Sequence, residues 1–316
     1  MVIHHLSGLI AAPFTPMHND GSLNFELIPR YYEMLKANHI KGAFICGSTG
    51  EGVSMSVKEK KAVAESWAAC TKNDKDFIVM PLLGGTSLTD CKELALHARE
   101  IGLDAVSFTS PFYFKPANVE MLAKCCHEVA SVVPDMPFYY YHIPVLTGVN
   151  FQMISLLKEI DGRIPNFAGI KYTHEDFMDF LSCLHFANGK YDLLWGRDEN
   201  MLPALSIGAK GAVGSTYNYA APLYHCLMDA FNSGDLEKAS EYQQQSIDMI
   251  HLLGKYGGIA TGKAYMKLIG LDCGEFRLPV TNMNISDFEL FKKDVLALDF
   301  DTFRSQLPEK VKALLP

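Results

Sequence analysis

The stretch FAGIKYT, residues 167–173, has the composition of a buried β-strand but carries a lysine near its end. Lys171 is the only charged residue in this run. Removal of an ammonium group from water disfavours the charged form and lowers its pKa, so a buried lysine becomes a nucleophilic amine. At the reference pKa of about 10.4, only roughly one lysine in 2,500 is neutral at pH 7. Two interpretations are open: a reactive lysine, or a strand-end lysine whose long side chain reaches solvent.

This run is one of eight short β-rich segments, most of which are followed by a turn and a helical pattern. The segments span residues 9–12, 42–46, 77–83, 105–109, 137–141, 167–171, 193–196 and 211–215. Strands that alternate with helices predict a parallel sheet with crossover helices. Eight such units predict an α/β fold of the (β/α)8 type, the TIM barrel.

Apolar residues at helical intervals predict helices over residues 57–70 and 90–101, with Ser56, Thr89 and Asn118 as N-caps. After the eighth strand the pattern predicts only helices, over residues 222–232, 235–253, 263–268, 286–297 and 301–315. We therefore expect a barrel domain at residues 1–220 and a C-terminal helical extension at residues 221–316.

Composition and charge exclude several classes of protein. The chain has 316 residues, of which 48% are apolar and 20% charged, and its formal net charge is −8. These values are typical of a soluble globular protein, and the lack of a basic cluster argues against a nucleic-acid partner. Because no run of about 18 apolar residues and no basic secretory signal occurs, we expect no membrane association. The eight cysteines lack CxxC spacing and the eleven histidines lack an HExxH motif, which favours reduced thiols in the cytoplasm and predicts no metal site.

The predicted barrel brings two chemically useful side chains together. Active sites of such barrels lie at the C-terminal ends of the strands. Side chains alternate along a strand, so Gly169 and Lys171 share one face, as do Tyr139 and Tyr141. Neighbouring strands lie about 4.8 Å apart, so we expect the Tyr141 phenol beside the Lys171 amine. The two groups are a candidate proton acceptor and nucleophile.

Three other strand ends carry residues with two interpretations each. Ser48 and Thr49 lie in the GSTG loop (residues 47–50), which either binds a carboxylate or phosphate oxygen or is only a tight turn. Asp198 and Glu199 either cap the helix after the seventh strand or bind a ligand. Tyr113 follows the fourth strand and either packs under a loop or has a functional role.

Five motifs occur in order along the chain: GSTGE at 47–51, YHIP at 141–144, GIKYT at 169–173, GRDE at 196–199 and GSTYN at 214–218. Together they resemble the superfamily of class I aldolases that contains the dihydrodipicolinate synthases and the N-acetylneuraminate lyases, and most closely the latter branch. The resemblance covers the whole chain. It implies reversible cleavage of sialic acid (N-acetylneuraminate) into pyruvate and N-acetylmannosamine through an imine on the enzyme, with no metal or organic cofactor, in a homotetramer.

The resemblance also implies a role for each matching residue. It makes Lys171 the Schiff-base lysine and Tyr141 the proton-transfer phenol. The implied substrate contacts are Ser48 and Thr49 for the pyruvyl carboxylate, Thr173 near the reacting centre, Gly196, Asp198, Glu199 and Ser215 for the polyhydroxylated tail, and Tyr113 near the site of a neighbouring subunit.

Leu146 departs from the dihydrodipicolinate synthase pattern, which has an arginine at this position to bind a dicarboxylate partner. A leucine offers no charge to such a partner, whereas the Asp198–Glu199 pair suits a neutral polyol. Two alternatives remain open. The chain is another pyruvate-dependent aldolase of the superfamily, for a 2-keto-3-deoxy sugar acid or for dihydrodipicolinate, or it is a non-catalytic barrel that binds a keto acid, because fold does not determine function.

Overall fold

The computed structural model of the protein describes residues 3–312 and contains a barrel of eight parallel strands. The strands are β1 (Gly8–Ala11), β2 (Gly42–Ile45), β3 (Ile78–Pro81), β4 (Val106–Thr109), β5 (Phe138–His142), β6 (Phe167–Tyr172), β7 (Asp192–Trp195) and β8 (Gly211–Gly214). They are ordered β3-β2-β1-β8-β7-β6-β5-β4, and a parallel bridge between Leu82 and Ser107 links the two ends of the sheet. Each predicted strand coincides with one of these, and the (β/α)8 barrel is confirmed.

Helices lie between the strands and continue beyond β8. They are α1 (Ile28–Ala37), α2 (Val57–Thr71), α3 (Leu88–Glu100), α4 (Val119–Ala130), α5 (Pro144–Thr147), α6 (Met153–Ile160), α7 (Phe177–His185), α8 (Met201–Ser206), α9 (Tyr217–Asn232), α10 (Leu236–Lys255), α11 (Thr261–Leu268), α12 (Ile285–Ala297) and α13 (Glu309–Lys312). Between residues 3 and 312, no helix combines the length and the apolar character that crossing a membrane requires. The domain division after residue 220 stays a prediction; α9 has a kink at Ala220, two residues before Pro222.

The strands separate two apolar cores. The larger core lies between the strands and the surrounding helices and includes residues of the C-terminal helices. The smaller core fills the barrel interior with side chains such as Ile10, Phe44, Met80, Leu194 and Val213. Because the interior is packed with apolar side chains, any polar group on an inward-facing position loses most of its contact with water.

Two of the three predicted N-caps are confirmed. Ser56 forms a capping box at the start of α2, and Asn118 caps α4. The prediction of Thr89 for α3 is wrong, because Ser87 accepts the hydrogen bond from the first turn and α3 already begins at Leu88. Ser87 has extended backbone angles, as an N-cap requires, whereas Thr89 lies inside the helix.

The prediction of one helix over residues 301–315 is also wrong within the described residues. A 3-10 turn at Phe300–Thr302 is followed by irregular chain up to α13. Ser305 holds this segment against α9, since its N–H donates to the Tyr219 carbonyl (2.7 Å) and its Oγ accepts from the Ala221 N–H (3.1 Å). Pro308 lacks an N–H and disfavours helical angles in the residue before it. Residues 313–315 of the predicted helix lie outside the described residues.

A buried ion pair joins the C-terminal helices to the GSTG loop. Glu51 follows this loop, and its Oε1 lies 2.8 Å from Nζ of Lys263 on α11; both side chains are 3% exposed. Lys263 also donates to the Glu275 carbonyl (2.9 Å), and Glu51 accepts from the Arg277 N–H (2.8 Å). Separating the two partners would leave an uncompensated buried charge on each. The pair therefore holds α11 against the loop.

We expect Lys263→Met to destabilise the fold by about 3–5 kcal/mol, because the Glu51 carboxylate then stays buried without its cation. The double variant Glu51→Gln/Lys263→Met removes that unpaired charge and should regain part of the loss. Urea unfolding followed by circular dichroism measures both. A double variant less stable than Lys263→Met would contradict this account.

Candidate active site

Lys171 and Tyr141 lie side by side at the C-terminal ends of β6 and β5. They are direct partners in the parallel register between these strands. The Lys171 Nζ is 4.2 Å from the centroid of the Tyr141 ring and 3.9 Å from that of Phe44 on β2. The amine is therefore surrounded by aromatic faces inside the barrel, next to a phenol, as the alternation along the strands predicts.

The environment of Lys171 favours the neutral amine. Its side chain is only 4% exposed, which contradicts the interpretation of a lysine that reaches solvent. Burial lowers the pKa of Lys171 to about 7, and the attraction of Asp198 opposes this only in part. Within residues 3–312 no carboxylate forms an ion pair with Lys171. The neutral, nucleophilic amine is therefore far more populated near neutral pH than in an ordinary lysine.

Tyr141 keeps its proton at neutral pH. Burial raises the pKa of Tyr141 to about 12, and the nearby hydroxyls of Ser48 and Thr173 offset part of this rise. The Thr173 Oγ1 is itself buried and has no hydrogen-bond partner among the described residues. The three hydroxyls form a polar patch beside the Lys171 amine that can accept a ligand's polar groups.

Nearly all predicted site residues line one cavity of about 240 Å³ at this end of the barrel. Those that line it are Ser48, Thr49, Tyr141, Lys171, Thr173, Gly196, Asp198, Glu199 and Ser215. Tyr113 is the exception: its side chain is 76% exposed and its ring packs edge-on against Phe114. Its implied contact with a neighbouring subunit stays a prediction, as do the individual roles of the lining residues.

The Asp198 carboxylate is buried and half-satisfied. Its Oδ2 accepts hydrogen bonds from the backbone N–H (3.0 Å) and Oγ1 (2.6 Å) of Thr216, while Oδ1 has no partner among the described residues. Burial raises the pKa of Asp198 to about 6, against the lowering effect of the Thr216 hydrogen bonds. Asp198 does not cap the short helices after β7, which have no side-chain cap. The free Oδ1 can accept a further hydrogen bond.

Glu199 lies at the rim of the cavity and is held by Arg197. The Arg197 Nη2 is 2.7 Å from Oε1 of Glu199 and 2.5 Å from Oε1 of Glu175. The Glu199 side chain is 30% exposed. The guanidinium therefore orients the glutamate and leaves its second oxygen available to a ligand.

Two glycines make room for these polar side chains. A Cβ at Gly196 would lie 2.0 Å from the Thr173 Oγ1, and one at Gly214 would lie 1.9 Å from the Asp198 Oδ1. Any other residue at either position would displace a hydroxyl or a carboxylate that lines the cavity. The sequence does not reveal this steric reason for glycine at position 196, and the predicted contact of Gly196 with the substrate stays a prediction.

Some residues of the cavity wall have no role predicted from the sequence. Ile250 and Leu253 on α10 and Ile259 after it supply an apolar wall, and Thr216 holds Asp198. The apolar periodicity that predicts helix α10 includes Ile250 and Leu253. This periodicity does not indicate that these two side chains line a cavity. Thr216 belongs to the GSTYN motif, which is its only sequence signal. Within residues 3–312 no group of three His, Cys, Asp or Glu residues could hold a metal ion.

Comparison with known proteins identifies the family of the chain. A model of the dihydrodipicolinate synthetase family matches residues 5–297. The chain belongs to this family. The resemblance inferred from the five motifs is therefore confirmed.

Several relatives are N-acetylneuraminate lyases. The N-acetylneuraminate lyase of Rattus norvegicus is 42% identical over 279 residues, which are 87% of this chain and 87% of the relative. Among solved structures of similar proteins, the Proteus mirabilis N-acetylneuraminate lyase has a TM-score of 0.91 and 38% identity, covering 94% of this chain and 100% of its own. The N-acetylneuraminate lyase (sialic acid aldolase) of Aliivibrio salmonicida has a TM-score of 0.91 and 37% identity, covering 94% and 98%.

We expect the rate of imine formation with pyruvate to rise with pH and to level off above about pH 7, because only the neutral amine attacks a carbonyl. An ordinary lysine would continue to gain rate toward its pKa of about 10.4. Samples mixed with pyruvate at different pH and quenched with borohydride give the rate, with modification of Lys171 measured by mass spectrometry. A rate still rising steeply above about pH 9 would contradict the lowered pKa.

Proposed function

We propose that the protein catalyses the reversible cleavage of N-acetylneuraminate into pyruvate and N-acetylmannosamine. The observation that carries the proposal is a buried lysine with a pKa lowered to about 7, in strand register with a buried tyrosine and inside one polar cavity. The N-acetylneuraminate lyases to which the chain is about 40% identical support the same reaction. A carbon–carbon lyase of the class I aldolase type needs this pair of groups.

The first step is attack by the Lys171 amine on the C2 ketone of the open-chain sugar. The nitrogen forms a bond to C2, and the carbonyl oxygen leaves as water once it is protonated, which gives a protonated imine. Ser48 and Thr49 line the cavity beside the amine and bind the substrate carboxylate. The imine is a covalent electron sink, so we infer that the reaction needs no metal or organic cofactor.

The second step breaks the C3–C4 bond. The C4 hydroxyl gives its proton to the Tyr141 oxygen, and the phenol gives its own proton to the substrate carboxylate, because the raised pKa of Tyr141 keeps the phenol protonated beforehand. The C3–C4 electron pair moves to the imine and forms an enamine, while C4 becomes the aldehyde of N-acetylmannosamine. The proton held by the carboxylate then moves to C3 of the enamine, which restores the imine, and hydrolysis of the imine by water releases pyruvate and restores Lys171.

The acidic side of the cavity suits the hydroxyl groups of the sugar. Asp198 and Glu199 each present an oxygen that can accept a hydrogen bond from a substrate hydroxyl. Leu146 also lines the cavity and offers no charge to a dicarboxylate or an anionic semialdehyde. We therefore favour the sialate substrate over the other pyruvate-dependent reactions of the superfamily.

We also propose that the protein acts as a homotetramer in the cytoplasm. Tyr113 and Phe114 follow β4, and Val145 (75% exposed) and Leu146 (62% exposed) follow β5, so all four present apolar side-chain surface at the end of the barrel that holds the cavity. Such a surface is suited to contact with another subunit.

Lys171→Ala should abolish both cleavage of N-acetylneuraminate and the borohydride-trapped pyruvate adduct, because the nucleophile is lost. Tyr141→Phe should keep the adduct but lose roughly 10²- to 10⁴-fold in turnover, the usual contribution of a general acid–base group. Lys158→Ala, at an exposed lysine on α6, is the matched control that should keep adduct and activity. Adduct in Lys171→Ala, or turnover of Tyr141→Phe within about threefold of wild type, would reject these assignments.

Asp198→Asn and Glu199→Gln should each lower kcat/KM for N-acetylneuraminate by roughly 10- to 150-fold, because each removes a charged acceptor for a sugar hydroxyl. Trapping of pyruvate on Lys171 should be nearly unchanged. Wild-type protein should form little product from pyruvate and aspartate semialdehyde, since Leu146 cannot bind the charged partner. Condensation faster than sialate cleavage, or full activity in both variants, would refute the sialate assignment.

A further inference from the structure

A chain of buried hydroxyl groups connects helix α10 to the Asp198 carboxylate. The Ser246 Oγ on α10 lies 2.7 Å from the Tyr224 Oη on α9, which lies 2.7 Å from the Thr216 Oγ1. The Thr216 Oγ1 is in turn 2.6 Å from the Asp198 Oδ2. Ser246 and Tyr224 are fully buried, and Thr216 and Asp198 are at most 5% exposed. No step of the proposed mechanism uses Tyr224 or Ser246.

The hydrogen bonds along this series of hydroxyls have only one possible donor direction when Asp198 is ionised. A carboxylate only accepts hydrogen bonds, and a hydroxyl has a single proton to donate. Thr216 therefore donates to Asp198 and accepts from Tyr224, so Tyr224 must in turn accept from Ser246. The Thr216 hydroxyl, which donates to the carboxylate, is thus oriented by the hydroxyls of Tyr224 and Ser246. Ser246 lies on α10 in the C-terminal extension.

Gln243 provides a second link from α10 to the same segment. Its Nε2 donates to the Asp198 carbonyl oxygen (3.3 Å), and its Oε1 accepts from the Leu202 N–H (2.8 Å). Gln243 and Ser246 are three residues apart and lie on one face of α10. The helix therefore holds both the backbone and the carboxylate of Asp198.

We propose that Tyr224 is a positioning residue, which acts through Thr216 to hold the Oδ2 of Asp198 so that Oδ1 is presented to a hydroxyl of the substrate. This inference rests on the proposed function, because the ligand of Oδ1 is taken to be a sugar hydroxyl. The steric limit at Gly214 supports it, since even a methyl group there would collide with Oδ1.

The protonation of Asp198 also depends on its other neighbours. The titratable groups that interact with it are Glu199 in the same turn, Lys171 on β6, Tyr141 on β5, and Tyr217, Tyr219 and Tyr224 on α9. Among these tyrosines only Tyr224 joins the hydroxyl chain; the hydroxyls of Tyr217 and Tyr219 have no hydrogen-bond partner among the described residues. A matched comparison within α9 is therefore available.

The test compares Tyr224→Phe with Tyr219→Phe in the full-length protein. Both remove one buried hydroxyl from α9. Tyr224→Phe should lower kcat/KM for N-acetylneuraminate by roughly 2- to 12-fold, mainly through KM, as expected for one lost hydrogen bond that supports binding. The acid limb of the pH profile of kcat/KM should move to higher pH in Tyr224→Phe, because a weaker hydrogen-bond donor to the ionised Asp198 raises the pKa of this carboxyl group. Tyr219→Phe should match wild type, and pyruvate trapping on Lys171 should be equal in all three.

Two further variants keep the test decisive if Tyr224→Phe does not fold. Thr216→Ser retains the hydroxyl and should have a lower KM than Thr216→Val, which lacks it. Equal KM values for this pair, or equal kinetics and pH profiles for the two tyrosine variants, would overturn the positioning role. Wild-type protein that traps pyruvate but does not cleave N-acetylneuraminate would instead overturn the proposed function, so the two failures are distinguishable.

Discussion

Burial of the Lys171 amine is the constraint on which the site depends. The barrel interior is filled with apolar side chains, and the amine lies against the rings of Phe44 and Tyr141 with little access to water. Desolvation lowers the pKa of the amine, and a carboxylate paired with the amine would oppose this lowering. Asp198 is close enough to interact electrostatically with Lys171, but the described residues contain no ion pair to Lys171. The position of one carboxylate thus preserves the reactivity of the lysine.

The C-terminal helices take part in the site and are more than a cover for the barrel. Helix α11 is joined to the GSTG loop through the buried pair of Lys263 and Glu51. Helix α10 supplies two apolar side chains to the cavity wall, and it is connected to Asp198 through Gln243 and the hydroxyl chain. Because these contacts are buried, displacement of the helices would alter both the loop and the carboxylate.

Local periodicity correctly predicts the placement of the two reactive groups. Alternation along β5 and β6 predicts that Tyr141 and Lys171 share the barrel interior, and the strand register agrees. The prediction of the α3 N-cap failed because two similar local signals compete. Ser87 and Thr89 are both suitable caps, and the backbone angles select Ser87. The helix predicted over residues 301–315 failed because Ser305 pairs with α9 in a way that only a folded chain allows.

Residues close together in the chain are enough to predict the eight βα units, the polar strand ends and the lysine in an apolar strand. Tertiary structure alone decided whether Lys171 is desolvated, whether Asp198 caps a helix or faces the cavity, and which group neutralises Glu51. The partner of Glu51 is 212 residues away in sequence. Burial and pairing energies depend on distances in space, and for groups so far apart along the chain those distances exist only after the barrel has closed.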